Sequence, residues 1–241
     1  MPNLTDSEEA YVTLFCEGDG SLYVNKAYSG LYPRITFSQS ERHVLEYIHN
    51  LIGSNNRISP NSKRGWTLPT NGRNCIPLLG IFSRHVVGKQ FLDKLNNLNT
   101  MYNLPHTTQH PINTMGLVGF WDAEGSSAYT GTLLLSMSQK DREILDIIAN
   151  TFGGSVGPHE NNYQWQLTGK SAKELALKIL KRSHCPSKKE RLRKNLYPAV
   201  EHKEAIQIKF HEHYLKNRDK ILTELRRQNL LIRACKELIN E

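Results

Sequence analysis

Hydrophobic positions in this chain recur at helical spacing in some stretches and alternate with polar positions in others. In the first hundred residues these stretches follow the order helix, two strands, helix, two strands, helix. They cover residues 5–17, 22–25, 34–38, 40–51, 57–59, 66–68 and 76–98. Thr5 and Glu8 have capping-box spacing before the first helix, and Gly53 is placed to end the second. Alternation in the strands predicts sheets with one face packed on helices and the other free to meet a ligand.

The second half of the chain repeats this order of elements. A helix begins at Thr114, and residues 99–112 before it have the prolines and the few apolar residues of a connection. The later strands and helices lie at residues 127–139, 141–150, 156–167 and 172–180. The sequence therefore predicts an α+β fold of two pseudo-symmetric αββαββα lobes with antiparallel sheets, plus a C-terminal helical extension. The predicted bounds are 1–98 and 113–195 for the lobes, 99–112 for the linker and 196–241 for the basic extension.

The two halves also share a nine-residue motif, at residues 12–20 and 117–125. Each copy is an apolar run followed by an acid, a small residue, a second acid and a glycine. The residues after the two copies also repeat in register. The matching pairs are Gln39 and Gln139, Gly53 and Gly153, residues 66–68 and 165–167, residues 83–85 and 182–184, and Lys89 and Lys188. A duplication of this length is rarely accidental, so the halves are interpreted as copies.

Each copy places an acid at the end of a helix, Asp19 in the first and Glu124 in the second. We expect Gly20 and Gly125 to let the chain leave the helix through a positive-φ turn, which has no Cβ penalty at glycine. A carboxylate in the last turn opposes the negative end of the helix dipole. That unfavourable placement predicts a positive partner for the acids, most simply a metal ion.

Positive charge is concentrated towards the C-terminus. Residues 170–241 hold 19 Lys and Arg against 9 Asp and Glu, whereas residues 1–169 hold 12 against 14, and the net charge is +8. A basic segment of this kind attracts a polyanion and favours nucleic acid as the partner.

The composition argues against several other classes of protein. There is no run of eighteen apolar residues and no signal-peptide pattern, so neither a membrane span nor secretion is predicted. The four cysteines lack CxxC spacing, which predicts reduced thiols and not a zinc site. An intracellular protein is therefore expected, in a compartment that the sequence does not identify.

The two motifs and the duplication around them resemble the LAGLIDADG homing endonucleases, in the form where one chain carries two copies of the motif. The resemblance implies a monomer that hydrolyses both strands of a long double-stranded DNA target, using divalent metal ions between the two motif helices. It also implies Mg²⁺ as the cofactor, Mn²⁺ as a substitute, and Ca²⁺ as an ion that supports binding without cleavage. The family's metal-binding acids fall on Asp19 and Glu124, and the carbonyls beside them on Gly18 and Ala123.

Two further pairs of residues resemble auxiliary groups of the family's active site. Gln39 and Gln139 take the place of a polar residue that organises water. Lys89 and Lys188 resemble a lysine that stabilises the charge developing during hydrolysis.

The chain departs from the family pattern at two motif positions. The third position, usually a glycine that allows close helix approach, is Gly119 in the second copy but Leu14 in the first. The helix interface is therefore expected to be asymmetric, unless the first copy is shifted in register. The sixth position holds Glu17 or Asp122, which we interpret as structural caps and not as metal ligands.

The polar faces of the two sheets are the predicted DNA-binding surface, laid in the major groove, where every base pair presents its own pattern of donors and acceptors. Alternation selects Tyr23, Asn25, Arg34, Thr36, Ser38, Tyr129, Asn162, Gln164 and Gln166 for this face. Other basic side chains are predicted to meet phosphates, which position a protein without reading the sequence. These are Lys63, Arg64, Lys189, Arg191, Arg193 and Lys194.

Three functions are compatible with this resemblance. The first is a site-specific DNA endonuclease, and the second is an RNA-binding maturase on the same fold that assists splicing of its host intron. The third is a regulatory DNA-binding protein on an inactive nuclease scaffold, which predicts the loss of at least one acid. Both acids are present at the eighth motif position, which favours the nuclease and leaves maturase activity open.

Overall fold

A computed structural model of the protein describes residues 3–27, 30–53, 55–61 and 65–198. The chain up to Leu196 forms one compact unit that contains both predicted lobes. Lys63, Arg64 and most of the predicted extension at 196–241 lie outside the described residues. In the described part, the cysteines are buried free thiols and no helix is long and apolar enough to cross a membrane.

The first lobe has the predicted order of helices and strands. Its elements are α1 (Asp6–Asp19), β1 (Gly20–Ala27), β2 (Gly30–Gln39), α2 (Arg42–Ile52), β3 (Ser59–Asn61), β4 (Gly65–Asn71), a 3₁₀ turn (Gly72–Cys75), α3 (Ile76–His85) and α4 (Lys89–Met101). Helix α1 begins with the predicted capping box, because the Thr5 hydroxyl accepts from the Glu8 N–H at 3.3 Å and the Glu8 carboxylate accepts from the Thr5 N–H at 2.8 Å.

The second lobe repeats these elements. They are α5 (Thr114–Glu124), β5 (Gly125–Tyr129), β6 (Leu133–Gln139), α6 (Arg142–Phe152), β7 (Ser155–His159), β8 (Asn162–Thr168) and α7 (Gly169–Arg182). A further helical segment, at residues 186–198, follows α7 as α4 follows α3. The predicted α+β fold of two αββαββα units is therefore confirmed, with one more helix added to each unit.

Each lobe has a four-stranded antiparallel sheet, ordered β1-β2-β4-β3 in the first and β5-β6-β8-β7 in the second. One face of each sheet is buried under the helices of its lobe, as the alternation predicts. The buried side chains include Leu22, Ile35, Phe37 and Leu68 in the first sheet and Leu133, Leu135, Met137, Trp165 and Leu167 in the second. The other face of each sheet carries the polar side chains, and we call it the free face.

Strand pairing corrects the predicted residue-by-residue match between the two lobes after their second helices. Gln39 lies opposite Trp66 and Gln139 lies opposite Tyr163, so Trp66 corresponds to Tyr163 and not to Trp165. The predicted match of residues 66–68 with 165–167 is thus wrong by two residues, because the segments between the hairpins differ in length. A shift of two keeps every side chain on its face, so the alternation alone gives no sign of it.

The same two-residue shift continues through the next helix. Helix α3 ends against Val86 and α7 ends against Ser183, and these two caps have nearly the same backbone angles, φ −60° and ψ 134° against φ −61° and ψ 142°. The predicted match of residues 83–85 with 182–184 is therefore also wrong by two.

The chain between the lobes is held in place by side chains of α4. This helix runs to Met101, so the connection without helix or strand covers residues 102–113. The Asn96 side chain accepts from the Thr107 N–H at 2.9 Å and donates to the Thr107 carbonyl at 3.1 Å. These bonds satisfy backbone groups that an extended segment would otherwise leave to water.

Candidate active site

Helices α1 and α5 pack side by side with their backbones in close approach. A Cβ built on Gly119 would collide with the backbone oxygen of Tyr11, and one built on Gly18 would lie 2.5 Å from the Cβ of Ala123. Only residues without a side chain allow helices to approach so closely at these points. The contact at Gly18 and Ala123 brings the two helix ends together.

The interface between these helices is asymmetric at the third motif position. Leu14 takes the place that Gly119 has in the other copy, and α5 makes room for it, because a Cβ on Gly116 would lie 3.2 Å from the Leu14 Cγ. The first copy is not shifted in register, since α1 ends at Asp19 as α5 ends at Glu124.

The motif glycines serve a different purpose from the one predicted. Gly20 and Gly125 have φ of −114° and −73°, so neither makes a positive-φ turn. A Cβ on Gly20 would instead lie 2.5 Å from the Cys16 carbonyl oxygen, and one on Gly125 would lie 2.6 Å from the Trp121 carbonyl oxygen. In each motif copy the backbone passes directly from helix into strand and lies close against the last helical turn. A side chain on the glycine does not fit there.

Each catalytic-acid candidate is joined to the glutamine of its own lobe. Asp19 Oδ2 accepts from Gln39 Nε2 at 2.8 Å, and Glu124 Oε1 accepts from Gln139 Nε2 at 3.5 Å. The glutamines are the last residues of β2 and β6, which end beside the motif helices. The structure therefore brings all four residues together, although their roles remain predictions.

Both acids are half-buried, and this partial burial raises their pKa values. The pKa of Asp19 rises to about 6, an effect that the Lys188 charge and the Gln39 hydrogen bond oppose. The pKa of Glu124 rises to about 7, where the charge of Asp19 adds to burial and Lys188 opposes it. The two carboxylates therefore lie close enough to repel each other, and both prefer a positive neighbour.

Lys188 supplies part of that positive charge. Its Nζ donates to the carbonyl oxygen of Ala123 at 2.6 Å and to that of Trp121 at 3.2 Å. Burial lowers the pKa of Lys188, and nearby negative groups, among them Asp19 and Glu124, oppose that effect. The ammonium lies at the end of α5, where the helix dipole also favours a cation.

Lys89 is not brought to the carboxylates. Its side chain is 63% exposed, and its Nζ lies 3.8 Å from Asp93 on the surface of α4. The predicted equivalence of Lys89 and Lys188 depends on the histidine match that the strand pairing overturns. With the two-residue correction, Lys89 corresponds to Pro186, and Lys188 corresponds to Phe91.

The sixth-position acids bind backbone within their own lobe. The Glu17 carboxylate accepts from the N–H groups of Val87 and Gly88 at 2.8 and 2.7 Å. The Asp122 carboxylate accepts from the His184 N–H at 2.7 Å. It also accepts from the hydroxyls of Ser183 and Tyr11, at 2.5 and 2.7 Å. These contacts agree with the interpretation of Glu17 and Asp122 as structural caps.

A second pair of acids connects the lobes, and sequence reasoning missed it. Glu41 accepts from the Ser187 N–H at 3.2 Å, at the start of the helical segment 186–198 of the other lobe. Asp141 lies 3.4 Å from the Gln90 N–H, at the start of α4 in the first lobe. Both acids come two residues after Gln39 or Gln139, which is the sequence signal that identifies them. A carboxylate at a helix N-terminus is favourable, and here it ties each lobe to the other.

The predicted base-contacting residues of the first lobe share its free face. Pairing places Ser21, Tyr23 and Asn25 beside Thr36, Arg34 and Tyr32 on this side of the sheet, and Ser38 lies there opposite Thr67. Arg34 Nε and Thr36 Oγ1 have no hydrogen-bond partner within residues 3–27, 30–53, 55–61 and 65–198. Both atoms are shielded from solvent, and the Arg34 guanidinium lies over the Tyr23 ring at 5.8 Å.

In the second lobe one predicted contact lies on the wrong face. Asn162, Gln164 and Gln166 are on the free face, where Gln166 Nε2 donates to Gln164 Oε1 at 2.6 Å. Tyr129 pairs with Leu133, whose side chain is in the core, so Tyr129 does not belong to this face. Its neighbour Ala128 takes the free-face position, because the turn after β5 sets the register of the hairpin.

The basic residues that come after Lys188 lie on the helical segment 186–198. Arg191, Arg193 and Lys194 are exposed, and the latter two lie 3.9 and 3.6 Å from the Glu190 carboxylate. Lys189 is half-buried beside His184, whose pKa is lowered by burial and by the Lys189 charge. Phosphate contacts by these residues remain predictions.

No family model and no curated protein sequence matches this chain. Among solved structures, the LAGLIDADG meganuclease I-AabMI bound to uncleaved DNA is 16% identical, with a TM-score of 0.63 over 82% of this chain and 92% of that one. I-SmaMI bound to an uncleaved DNA target with calcium ions is 13% identical, with a TM-score of 0.53 over 75% and 85%. The I-LtrWI LAGLIDADG homing endonuclease bound to target DNA is 12% identical, with a TM-score of 0.54 over 73% and 83%. At these identities the likeness is one of fold.

Proposed function

We propose that this chain, which has the fold of the LAGLIDADG homing endonucleases, is a site-specific endonuclease that hydrolyses both strands of a double-stranded DNA target. The observation that carries the proposal is the pair of half-buried carboxylates, Asp19 and Glu124, at the ends of two helices in backbone contact. Burial and mutual repulsion raise the pKa of Glu124, and a structural role would not require such an arrangement.

The donors at this site fit a hard divalent cation. They are carboxylate oxygens of Asp19 and Glu124 with the nearby carbonyls of Gly18 and Ala123, and oxygen is the ligand atom that Mg²⁺, Mn²⁺ and Ca²⁺ take. The described residues contain no group of three His, Cys, Asp or Glu side chains that would form a complete protein cage. Water and DNA phosphate oxygens would complete the shell, as is common for Mg²⁺. A bound cation would neutralise charge on the phosphate and lower the pKa of a water molecule.

The side chains around the acids have separate tasks in this proposal. Gln39 holds Asp19 at 2.8 Å, and its own Oε1 is fixed by the Ser40 N–H at 2.7 Å, so the carboxylate is oriented before DNA arrives. Gln139 holds Glu124 less closely, at 3.5 Å, and its own Oε1 is fixed in the same way by the Lys140 N–H at 2.8 Å. Lys188 places a positive charge beside both acids, where it would stabilise negative charge that develops on a phosphate.

The free faces of the two sheets are the proposed DNA-binding surface. Two antiparallel sheets related by the duplication match the approximate twofold symmetry of a duplex, and polar side chains on a sheet are able to read base edges in the major groove. The position of Tyr23, Arg34 and Thr36 together on the free face of the first sheet supports this assignment. Lys63, Arg64 and the basic residues of the segment 186–198 are proposed to contact phosphates. Since one chain supplies both acids, a monomer is sufficient for cleavage.

The test is cleavage of a randomised double-stranded DNA library in Mg²⁺, with binding measured separately in Ca²⁺. Asp19→Asn and Glu124→Gln should each lower double-strand cleavage by about 100-fold or more, because each removes a charge at the reacting centre, while binding in Ca²⁺ survives. Matched surface controls are Asp93→Asn and Glu174→Gln, whose side chains are 62% and 63% exposed.

The opposite results are equally clear. Cleavage that persists at the wild-type rate in both acid variants contradicts the proposed site. A wild-type protein that cuts no DNA and instead binds structured intron RNA supports the maturase, and makes the acids structural.

A further inference from the structure

The two lobes differ at the position of the active-site lysine. Strand pairing equates Trp66 with Tyr163, and the helix caps equate Val86 with Ser183, an offset of 97 in both cases. The same offset of 97 equates Lys188 of the second lobe with Phe91 of the first. An ammonium in one lobe is thus replaced by an apolar ring in the other.

Two independent sets of contacts give the same offset. The sixth-position acids accept from the N–H groups of Val87 in the first lobe and His184 in the second. The acids that connect the lobes accept from the N–H groups of Gln90 and Ser187. Since Phe91 directly follows Gln90 and Lys188 directly follows Ser187, the equivalence does not depend on sequence similarity.

A cavity lies beside Phe91, the first-lobe residue that corresponds to Lys188. It has a volume of about 200 Å³, and Phe91, Gly18 and Gln139 are among the residues that line it. Gly18 is the motif counterpart of Ala123, whose carbonyl accepts from Lys188. The cavity therefore adjoins the place that a second lysine ammonium would take.

Lys94 follows Phe91 in the same helix and is a basic residue that also lines this cavity. Its side chain is exposed, and the offset of 97 equates it with Arg191, which is also basic and exposed. Lys94 and Arg191 are therefore a duplicated surface pair. Because Lys94 already has this counterpart, it is not a displaced copy of Lys188.

We propose that the catalytic centre is one-sided, so that Lys188 assists hydrolysis of one DNA strand and the other strand is cut more slowly without a lysine. The inference rests on the proposed function. In each strand a water oxygen forms a bond to phosphorus, one phosphorus–oxygen ester bond breaks, and the departing oxygen takes up a proton, so water is the only co-reactant. The stabilising charge at the phosphate differs between the two strands, and nicked DNA precedes the double-strand break.

The experiment uses a duplex of the selected target with a different fluorescent label on each strand, cleaved by excess full-length protein in Mg²⁺. Removing one group that stabilises charge in a transition state typically slows a reaction about 100-fold, so we expect the wild-type strand rates to differ by about tenfold or more. Lys188→Met should slow the fast strand by about 100-fold and the slow strand much less. Phe91→Lys should accelerate the slow strand.

Two controls separate position from charge. Asn97→Lys adds the same charge to an exposed position of α4 and should change neither strand rate. Lys94→Met should leave the ratio of the strand rates unchanged. If Phe91→Lys does not fold, as judged by circular dichroism and by DNA binding in Ca²⁺, the wild-type strand ratio and its response to Lys188→Met decide the question.

A second measurement reads binding and not cleavage. Once the cleavage positions are mapped, each scissile phosphate is replaced in turn by a neutral methylphosphonate and affinity is measured in Ca²⁺. The replacement on the fast strand should weaken binding more, and Lys188→Met should remove that difference.

Each contrary outcome has its own meaning. Equal cleavage of both strands, or a loss confined to the slow strand in Lys94→Met, overturns the one-sided centre and leaves the endonuclease standing. Cleavage of neither strand overturns the endonuclease and the one-sided centre together.

Discussion

Replacing Gly119 by alanine would test whether backbone contact between the motif helices positions the proposed catalytic acids. The new Cβ would collide with the Tyr11 backbone oxygen and lie 3.1 Å from the Tyr11 Cα, so α1 and α5 would have to move apart. Overpacking of this kind typically costs about 1–3 kcal/mol, whereas alanine stabilises a helix by about 0.5–1 kcal/mol relative to glycine. We expect a net loss of about 1–2 kcal/mol in the free energy of unfolding.

Gly80→Ala is the matched control, because it makes the same change in another helix without a collision. A Cβ on Gly80 would meet the Arg84 Nη1 at 3.9 Å, an ordinary contact. This variant should therefore gain about 0.5–1 kcal/mol from helix propensity. For a chain of this size 1 kcal/mol corresponds to about 2–4 °C in Tm, so thermal unfolding without metal should shift the two variants in opposite directions.

Cleavage should respond to Gly119→Ala as well. Glu124 lies five residues after Gly119 in the same helix, so a shift of α5 changes its distance from Asp19. A misplacement of about 1 Å at a catalytic group lowers rates by about 100-fold. A Gly119→Ala protein that is as stable as Gly80→Ala, and that cleaves DNA at the wild-type rate, would refute this reasoning.

Three further predictions concern charge. Glu41→Gln should lower the free energy of unfolding by about 1 kcal/mol and slow cleavage, because it weakens the cap that positions the helix of Lys188. The control Glu46→Gln should do neither, and equal cleavage rates in the two variants would contradict this. Burial raises the pKa of Glu17 from 4.5 to about 8, so the folded protein keeps a proton that the unfolded chain releases. The free energy of unfolding should accordingly fall as pH rises through this window, and Glu17→Gln should flatten the fall in urea unfolding; an unchanged slope excludes Glu17 as its source. Protons compete with metal for Asp19 and Glu124, whose pKa values are about 6 and about 7. EDTA should therefore abolish cleavage, and the Mg²⁺ needed for half-maximal rate should rise as pH falls through these values; identical titrations above and below them would count against metal binding here.

Alternation along the chain was sufficient to predict which face most strand residues occupy, because successive side chains of a strand point to opposite sides. Tyr23 and Gln164 are examples on the free faces of the two sheets. The prediction for Trp66 and Trp165 was wrong by two residues and still had the correct face. Tyr129 failed because it pairs with the core residue Leu133 and therefore points to the buried side of its sheet.

The lysine prediction failed for a different reason. Lys89 and Lys188 fall at equal distances after a histidine, but strand pairing shows that those histidines are two residues out of register. Similar residues at similar spacing were therefore mistaken for equivalent positions. Phe91 carries no chemical signal of its own, and strand pairing, helix caps and hydrogen bonds of the folded protein identify it.

The sequence by itself determined the duplicated fold and the two acids, Asp19 and Glu124, because hydrophobic periodicity and a carboxylate at a helix end are local properties of the chain. Tertiary structure alone decided which lysine reaches those acids and why Gly20 and Gly125 are required. It also decided how Glu41 ties one lobe to the helical segment 186–198 of the other, across 146 residues of sequence. These features depend on atoms that are far apart along the chain and meet only when the two lobes pack, so no local pattern encodes them.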